Sequence, residues 1–494
     1  MFKLKGSNLK SILIVATAVQ LVACGGGGGA GDSSLLSRNA ETLVFVASDG
    51  ATVTGENELY AVEDNASGQR LLSKNAVASD SDIFSFALSP DKQWVAYIAD
   101  HDGSGKYALY VVAISGGTPQ QVSRVSSERY RTVKSFQWSP DSRQLVFAAN
   151  LDAPLDGNFS HLANEIYVVN RDSTAQTKVN GDIGIRARVN IRNPQWSADG
   201  RYIVQEVTTF RSGSSSVNAF ALNIYDSNIA TANSRRLVTA STNRSIRNVR
   251  WSPNSKRLAF TADYDSQGVF QVYAIGISGL PFKQVTNNGD FNSDSKWSAD
   301  GSELAYLDHP TSPFPADLVV SPGDGSASDR TLAFVSSNNR FVKDFQWSPD
   351  SSKIAYTSDE DQSGLYELYV VAASGTGLRT KINGAMVANG DVVDFQWSPN
   401  GRKIAYAADQ ESDSVRELFI SNINGTENTK LSSGLSNTEL KIFVWSGDGA
   451  RIAFSEGASR SRSRANQLYV NNVAGSALLQ VNDVLTDNIK LFSY

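Results

Sequence analysis

A tetrapeptide of the type Trp-Ser-Pro-Asp recurs eight times along this chain of 494 residues, at steps of 46 to 58 residues. Seven of the eight tryptophans in the sequence occupy its first position. The copies begin at Leu88, Trp138, Trp196, Trp251, Trp297, Trp347, Trp397 and Trp445. A motif that returns at such a period indicates a repeat architecture, in which each unit is one supersecondary element packed on its neighbours.

Each repeat has the pattern of four short strands. The motif itself suits a type I turn, because Pro presets φ and the Ser and Asp side chains bond to nearby backbone groups. In one repeat an alternating strand ends at Trp347, a second strand covers 353–356, a third covers 367–371, and a short fourth follows a Gly-containing turn. Four antiparallel strands per unit form one blade of a β-propeller, so the sequence predicts an all-β, single-domain propeller.

The two ends of the repeat region predict how the ring closes. Residues 42–74 show the second, third and fourth strand patterns with no motif before them, and 488–493 show an isolated first strand ending in Phe492-Ser493. We therefore expect the C-terminal strand to complete the N-terminal blade, which removes an exposed sheet edge. This composite blade brings the predicted count to nine, with eight as the alternative if one unit is degenerate.

The turn motif, the Ile-Ala-Tyr second strand and the Leu-Tyr-Val third strand together resemble the TolB-type, WD-like propeller repeat. The resemblance covers residues 41–494 and implies the fold with more force than the function. Such repeats serve a periplasmic Tol–Pal protein, gating domains of peptidases and many envelope lipoproteins, so function has to be argued from the site.

The N-terminus resembles that of a bacterial lipoprotein. Lys3, Lys5 and Lys10 precede an apolar run over 11–22, which at 12 residues is too short for a membrane-spanning helix. The run ends in Leu-Val-Ala-Cys, which resembles a lipobox. We predict a signal peptide over 1–23, a lipidated Cys24, and a glycine-rich tether over 24–40. Gly rather than Asp after the cysteine implies outer-membrane sorting, with the body on a periplasmic or surface face. An ordinary signal peptide is the alternative.

Composition excludes several classes of function. One Cys and three His leave no intrachain disulfide and no Cys-based zinc cluster. A net charge of −5 gives no reason to expect nucleic acid. The sequence contains no Gly-x-Ser-x-Gly nucleophile motif, P-loop or His-Glu-x-x-His motif. We therefore expect a protein that binds without catalysing, and no cofactor.

An acidic loop recurs between the second and third strands. It reads Asp-x-Asp at Asp100 and Asp102, Asp263 and Asp265, and Asp359 and Asp361, with a Gly a few residues on. Such loops could offer oxygen ligands to Ca²⁺, although no Glu stands at the twelfth position of an EF-hand. The alternative is a polar hairpin loop in which Asp and Gly satisfy turn geometry.

Basic residues recur four positions before the motif Trp. In WD-like blades the first strand lines the central channel, so these positions form a ring, which we call the collar. Five of the seven positions counted carry Lys134, Arg192, Arg247, Lys343 and Lys441. A basic collar would attract an anionic ligand; the alternative is that these charges pair with neighbouring aspartates. Gln residues directly before the motif Trp are expected to act as hydrogen-bonding spacers between blades.

These observations predict a lipid-anchored envelope protein whose propeller binds a protein or peptide partner at the channel mouth. The alternatives are a binder of anionic glycans or a propeller-type carbohydrate hydrolase or lyase. Two loops are further candidates for contacts: the insertion at 149–164 and the Ser-Arg repeat at 459–464.

Overall fold

The structure is a computed structural model. It describes residues 41–48, 57–73, 82–101, 103–124, 132–151, 165–180, 189–210, 217–226, 235–240, 244–279, 283–286, 295–308, 317–326, 328–333, 340–433, 438–458, 467–482 and 487–493. The predicted signal peptide, Cys24 and the tether lie outside these residues, as do Asp102, the Ser-Arg repeat and most of the insertion. In the described part of the chain, no helix is long and apolar enough to cross a membrane.

Nine antiparallel sheets of four strands each make up the fold. Blade 1 contains β1 (Thr42–Ser48), β2 (Asn57–Glu63), β3 (Arg70–Leu71) and the last strand of the chain, β36 (Asp487–Ser493). Blade 2 contains β4 (Asp82–Leu88), β5 (Trp94–Asp100), β6 (Ala108–Ala113) and β7 (Gln120–Gln121). Blade 3 contains β8 (Val133–Trp138), β9 (Gln144–Ala149), β10 (Glu165–Asn170) and β11 (Gln176–Lys178).

The next three blades follow the same order. Blade 4 contains β12 (Val189–Trp196), β13 (Tyr202–Phe210), β14 (Val217–Asp226) and β15 (Arg235–Ala240). Blade 5 contains β16 (Ile246–Trp251), β17 (Arg257–Ala262), β18 (Gln271–Gly276) and β19 (Lys283–Gln284). Blade 6 contains β20 (Ser295–Trp297), β21 (Glu303–Asp308), β22 (Asp317–Pro322) and β23 (Arg330–Ala333).

The last three blades complete the ring. Blade 7 contains β24 (Val342–Trp347), β25 (Lys353–Ser358), β26 (Glu367–Ala372) and β27 (Thr380–Lys381). Blade 8 contains β28 (Val392–Trp397), β29 (Lys403–Ala408), β30 (Glu417–Asn422) and β31 (Thr429–Lys430). Blade 9 contains β32 (Thr438–Trp445), β33 (Arg451–Ala458), β34 (Gln467–Asn472) and β35 (Leu479–Gln480).

The predicted closure of the ring is confirmed. β36 pairs antiparallel with β1, with Phe45 opposite Phe492 and Val46 opposite Leu491. The sheet order β3-β2-β1-β36 makes the C-terminal strand the innermost strand of blade 1. The count of nine blades is therefore correct, and the alternative of eight is wrong.

The repeated motif forms the predicted turn and also joins neighbouring blades. The Ser398 hydroxyl accepts a hydrogen bond from Lys403 N at 2.9 Å, and Gly401 takes a φ of 67°, which suits a residue without Cβ. The Trp397 indole donates to Gln346 O of the preceding blade at 3.2 Å, and the Gln396 amide donates to Phe443 O of the next blade at 2.8 Å. The expectation that these glutamines are spacers between blades is confirmed.

The hydrophobic core lies between adjacent sheets. One cluster joins Leu368 and Val370 of blade 7 to Phe395, Tyr406 and Phe419 of blade 8, all buried. Aromatic pairs on the second and third strands stack within each blade, as Tyr406 and Phe419 do with ring centroids 5.4 Å apart. Each blade is thus held by both neighbours, which keeps the inner strands in fixed positions around the channel.

A buried ion pair joins the last blade to the first. Arg451 Nη1 lies 2.6 Å from Asp64 Oδ1, at ion-pair distance but without hydrogen-bond alignment, and the Asp64 side chain is fully buried. Glu41 Oε2 also accepts a hydrogen bond from Gly447 N at 3.0 Å. Burial raises the pKa of Asp64 to about 6, and the neighbouring Arg451 opposes that rise.

We expect Arg451→Ala to lower the free energy of unfolding by about 3 kcal/mol at pH 8, because it leaves a buried carboxylate without its cation. The folded-state pKa of Asp64 lies above its ordinary value of 3.8, so ionisation of Asp64 costs stability as the pH rises through about 6. At pH 5 Asp64 is largely protonated, and the loss should be smaller. Denaturant unfolding at the two pH values measures the difference.

The control for this variant is Lys92→Ala. Lys92 is about half exposed and lies 3.6 Å from Glu41 at the same junction, so its removal should cost less than about 1 kcal/mol. An equal loss for Arg451→Ala at pH 5 and pH 8 would contradict the role given to Asp64.

Candidate functional site: the collar at the channel mouth

The innermost strands of seven blades carry a β-bulge at one common position, the collar position. The pairing register shifts between Ile83 and Ser85, Val133 and Ser135, Arg192 and Gln195, Arg247 and Arg250, Val342 and Asp344, Val392 and Asp394, and Leu440 and Ile442. In five of these strands the residue without a pairing partner is the collar residue itself, namely Phe84, Lys134, Lys343, Val393 or Lys441. A bulge adds a residue to one strand and redirects its side chain, so the fold turns these side chains out of the ladder.

The predicted basic residues differ in their surroundings. Lys134, Lys343 and Lys441 are exposed, whereas Arg247 is half-buried. The backbone of Arg192 lies in β12, and its side chain lies outside what the structure describes. Although Lys134 is open to solvent in the channel, the protein around it lowers its pKa by desolvation. These lysines therefore project charge into a partly enclosed space.

Pairing with neighbouring aspartates does not account for the collar. Among the described residues, Lys134 and Lys343 make no ion pair. The aspartate that follows Lys343 in sequence, Asp344, pairs instead with Lys296 of blade 6 at 2.8 Å. That carboxylate is therefore engaged with another blade.

Sequence reasoning missed an aromatic layer behind the collar. The residue directly before the third strand is Tyr107 in blade 2, Phe270 in blade 5 and Tyr366 in blade 7. The Arg247 guanidinium lies 3.5 Å from the Phe270 ring centroid, and Lys343 Nζ lies 4.9 Å from that of Tyr366. These are cation–π contacts, which hold each cation beside the channel and still leave its charge unneutralised.

The collar also includes an aromatic residue that the sequence analysis did not count. Phe84 of blade 2 stands four residues before Leu88, in the copy of the motif that lacks Trp. Its side chain is 62% exposed and packs edge-on against Tyr107, with ring centroids 5.9 Å apart. Aligning the Leu88 copy with the others would have found it.

A cavity of about 400 Å³ opens between blades 7, 8 and 9. Its lining brings together the collar residues of three successive blades with a carboxylate, a guanidinium and an apolar floor. The lining residues are Lys343, Val393, Asp394, Ala407, Arg416, Leu440, Lys441 and Phe443. The volume lies within the range of pockets that hold small ligands or ligand side chains.

Asp394 is the acid of this cavity. Its side chain is exposed to the channel, yet the surrounding inner strands exclude enough water to raise its pKa to about 6. The charge of Asp344 adds to the rise, and the Phe395 N–H, which donates to Asp394 at 2.8 Å, opposes it along with Lys296. Asp394 therefore changes charge near neutral pH.

The first Asp of each acidic loop has a structural role. Asp359 accepts hydrogen bonds from Phe341 N at 2.9 Å and Gly364 N at 3.0 Å, which ties the start of β24 to the loop. Asp263 holds Gly268 N at 3.0 Å in the same way, and Asp100 holds Gly105 N at 2.7 Å. The recurrence of this Asp is explained by backbone hydrogen bonds, as in the hairpin-loop alternative.

The second acidic positions are also engaged. Asp265 accepts a hydrogen bond from the Tyr273 hydroxyl at 2.8 Å, and Asp361 lies 2.9 Å from Arg379 Nη2 and 2.8 Å from Lys381 Nζ. In the described ranges, no group of three or more His, Cys, Asp or Glu side chains is placed to hold a metal ion. The structure does not bring the predicted Ca²⁺ ligands together across blades.

The collar and the acidic loops lie at one end of the ring. Because the strands in each blade are antiparallel, the start of the first strand and the loop after the second strand share a face, which we call the collar face. The Ser-Pro-Asp turns lie at the opposite end, the turn face. The loop that contains 152–164 and the loop that contains 459–466 both leave from the collar face.

The fold and the collar define a nine-bladed β-propeller with basic residues at one channel mouth. No family model matches the chain, and no curated protein matches its sequence. Among solved structures, it is similar to Porphyromonas gingivalis dipeptidyl peptidase 4, with a TM-score of 0.54 and 15% identity over 81% of this chain. The chain spans 61% of that peptidase, and the likeness shows a shared fold.

Two further structures give weaker likenesses. A putative TolB from Agrobacterium tumefaciens has a TM-score of 0.32 and 17% identity, covering 52% of this chain and 86% of that one. One of two prolyl endopeptidases has a TM-score of 0.45 and 12% identity, covering 78% of this chain and 55% of that one. Neither carries an argument beyond the fold, so the TolB-type assignment continues to rest on the repeat motif.

Proposed function

We propose that this protein is a binding module that holds an acidic, extended segment of a partner protein at the collar face. The observation that carries the proposal is the pair of lysines at bulge positions, Lys134 and Lys343, which face the channel with no carboxylate partner in the described part of the chain. Cations gathered at a channel mouth raise the local concentration of an anionic ligand.

The surroundings of the collar favour a peptide over a sugar. A sugar ring is commonly held against the free face of an aromatic side chain, but Phe270 and Tyr366 already carry Arg247 and Lys343 over their rings. A bulge residue such as Lys343 also lacks a ladder partner, which leaves backbone groups near the channel for an extended peptide.

The proposal includes an envelope location without catalysis. Residues 1–24 supply the argument for a lipid anchor, and the absence of a nucleophile or metal-binding motif from the sequence supports binding alone. The activity of the similar peptidase belongs to a chain of which this one spans 61%.

Direct titration tests the proposed ligand. The probe is a fluorescent decaglutamate, acetylated and amidated so that it carries only side-chain carboxylates, and the protein is the chain from residue 30 onward. Decaglutamate should bind in a salt-sensitive way, while decalysine should not bind. Absence of decaglutamate binding, with retention of polygalacturonate, would overturn the peptide proposal in favour of acidic glycans.

The affinity for decaglutamate should increase about fivefold between pH 7.5 and pH 5.5. Protonation of Asp394, whose pKa is about 6, removes a negative charge that competes with the ligand for Lys343, Arg416 and Lys441. One charge at close range is worth about 1 kcal/mol in aqueous surroundings. The glutamates of the probe stay largely ionised, because their ordinary pKa is near 4.3.

The matched variant for this prediction is Asp394→Asn. It should bind more tightly than the wild type at pH 7.5 and show little change at pH 5.5. The difference between the two proteins isolates Asp394 from other groups that titrate in this range, such as His101 on blade 2. An Asn variant with the full wild-type pH dependence would contradict the assignment.

A further inference from the structure

The collar has a gap where the cavity opens. At the bulge position, blade 7 carries Lys343 and blade 9 carries Lys441, but blade 8 between them carries Val393. The shorter, uncharged side chain leaves space that a third lysine would occupy. The cavity is therefore a place where the ring of charge is replaced by volume.

The lining of the cavity pairs charge with an apolar floor. Lys343, Lys441 and Arg416 are exposed, whereas Ala407, Leu440 and Phe443 are buried. Asp394 adds an oxygen acceptor beside the cations. This combination suits a group that has a carboxylate at its end, methylenes behind it and an amide N–H nearby, as a glutamate residue in a peptide has.

We propose that this cavity is the subsite that takes one glutamate-like residue of the acidic ligand, with its carboxylate among the basic side chains and its methylenes over Val393 and Leu440. The backbone N–H of that residue can donate to Asp394. The inference rests on the proposed function and adds to it that the ligand is held in register at blades 7 to 9, rather than by the charge of the ring alone.

Substitution of Val393 separates the subsite from the field of the collar. Val393→Lys adds a cation, so a ligand held only by the positive field should bind more tightly. If the cavity is the subsite, the new side chain fills it, and the affinity for decaglutamate should fall about tenfold. Val393→Gln fills the same space without charge and should fall by a similar factor, while Val393→Ala should stay within about twofold of the wild type.

The variants are suited to the test because Lys already occupies this bulge position in the two adjacent blades. Their thermal unfolding should match that of the wild type, and should Val393→Lys fold poorly, Val393→Gln decides. Tighter or unchanged binding by the filled variants overturns the subsite and leaves the collar proposal standing. Failure of the wild type to bind decaglutamate overturns both.

Discussion

Removal of residues 487–494 is expected to abolish the cooperative unfolding transition of the protein. The deletion removes β36, the innermost strand of blade 1, and leaves β1 as an unpaired edge beside the channel. β1 is also central to the junction, because Leu43 and Phe45 pack with blade 9 while Val44 and Val46 pack with blade 2. Loss of its partner strand exposes both clusters, and we expect more than about 5 kcal/mol of destabilisation, comparable with the whole stability of many domains.

Calorimetry and size-exclusion chromatography measure this result. The truncated chain should aggregate or elute as an expanded species, with no sharp calorimetric transition. The matched control is a circular permutant that joins residue 493 to residue 41 through a short linker and begins within 152–164. It keeps all nine sheets, so it should unfold like the wild type. A truncated chain with a wild-type transition would contradict the closure of the ring by β36.

Replacement of the three exposed collar lysines by glutamine should weaken decaglutamate binding by about 100-fold. The variant is Lys134→Gln, Lys343→Gln and Lys441→Gln. Each lost charge removes about 1 kcal/mol of attraction at close range, and the dependence of affinity on salt should fall with it. Because these side chains are exposed and stand at bulges, the melting temperature should change by no more than about 2 °C.

The control carries the same change in charge at the other end of the ring. Lys256→Gln, Lys353→Gln and Lys403→Gln alter lysines in or directly after the motif turns, on the turn face. This control should bind decaglutamate with nearly wild-type affinity. Equal weakening by both triple variants would mean that net charge, and not the collar, attracts the ligand. A large loss of stability in the collar variant would make these lysines structural.

The architecture could be predicted from the sequence because the same physics repeats in every unit. A Ser-Pro-Asp turn and two alternating strands recur eight times, and the leftover strand patterns at the two ends fit one missing blade. The count of nine, the closure by 487–493 and the inter-blade role of Gln346 and Gln396 all follow from that spacing.

The site was harder to predict because spacing along the chain does not reveal a bulge. The collar positions were found by counting back from the motif Trp, but Phe84 was missed where Leu88 replaces that Trp. The residues before the third strand, such as Tyr366, gave no signal until the structure placed them beside the collar. The cavity arises from an absence at Val393, which a search for recurring charge passes over.

The acidic loops show the opposite case, in which a recurring pattern is explained by structure. Asp359 and Asp263 recur because each accepts backbone N–H groups that fix the start of an inner strand and the loop behind it. A carboxylate used in this way keeps the collar in place, and its repetition in several blades follows from the repetition of the blade.

Location of the bound ligand tests the central claim most directly. Carbodiimide couples carboxylates to lysine amines in direct contact, so decaglutamate cross-linked to the protein can be mapped by mass spectrometry. We predict cross-links at Lys134, Lys343 and Lys441, suppressed by excess unlabelled peptide. Cross-links concentrated at Lys256, Lys353 and Lys403 on the turn face, or spread evenly over both faces, would contradict the collar as the binding site.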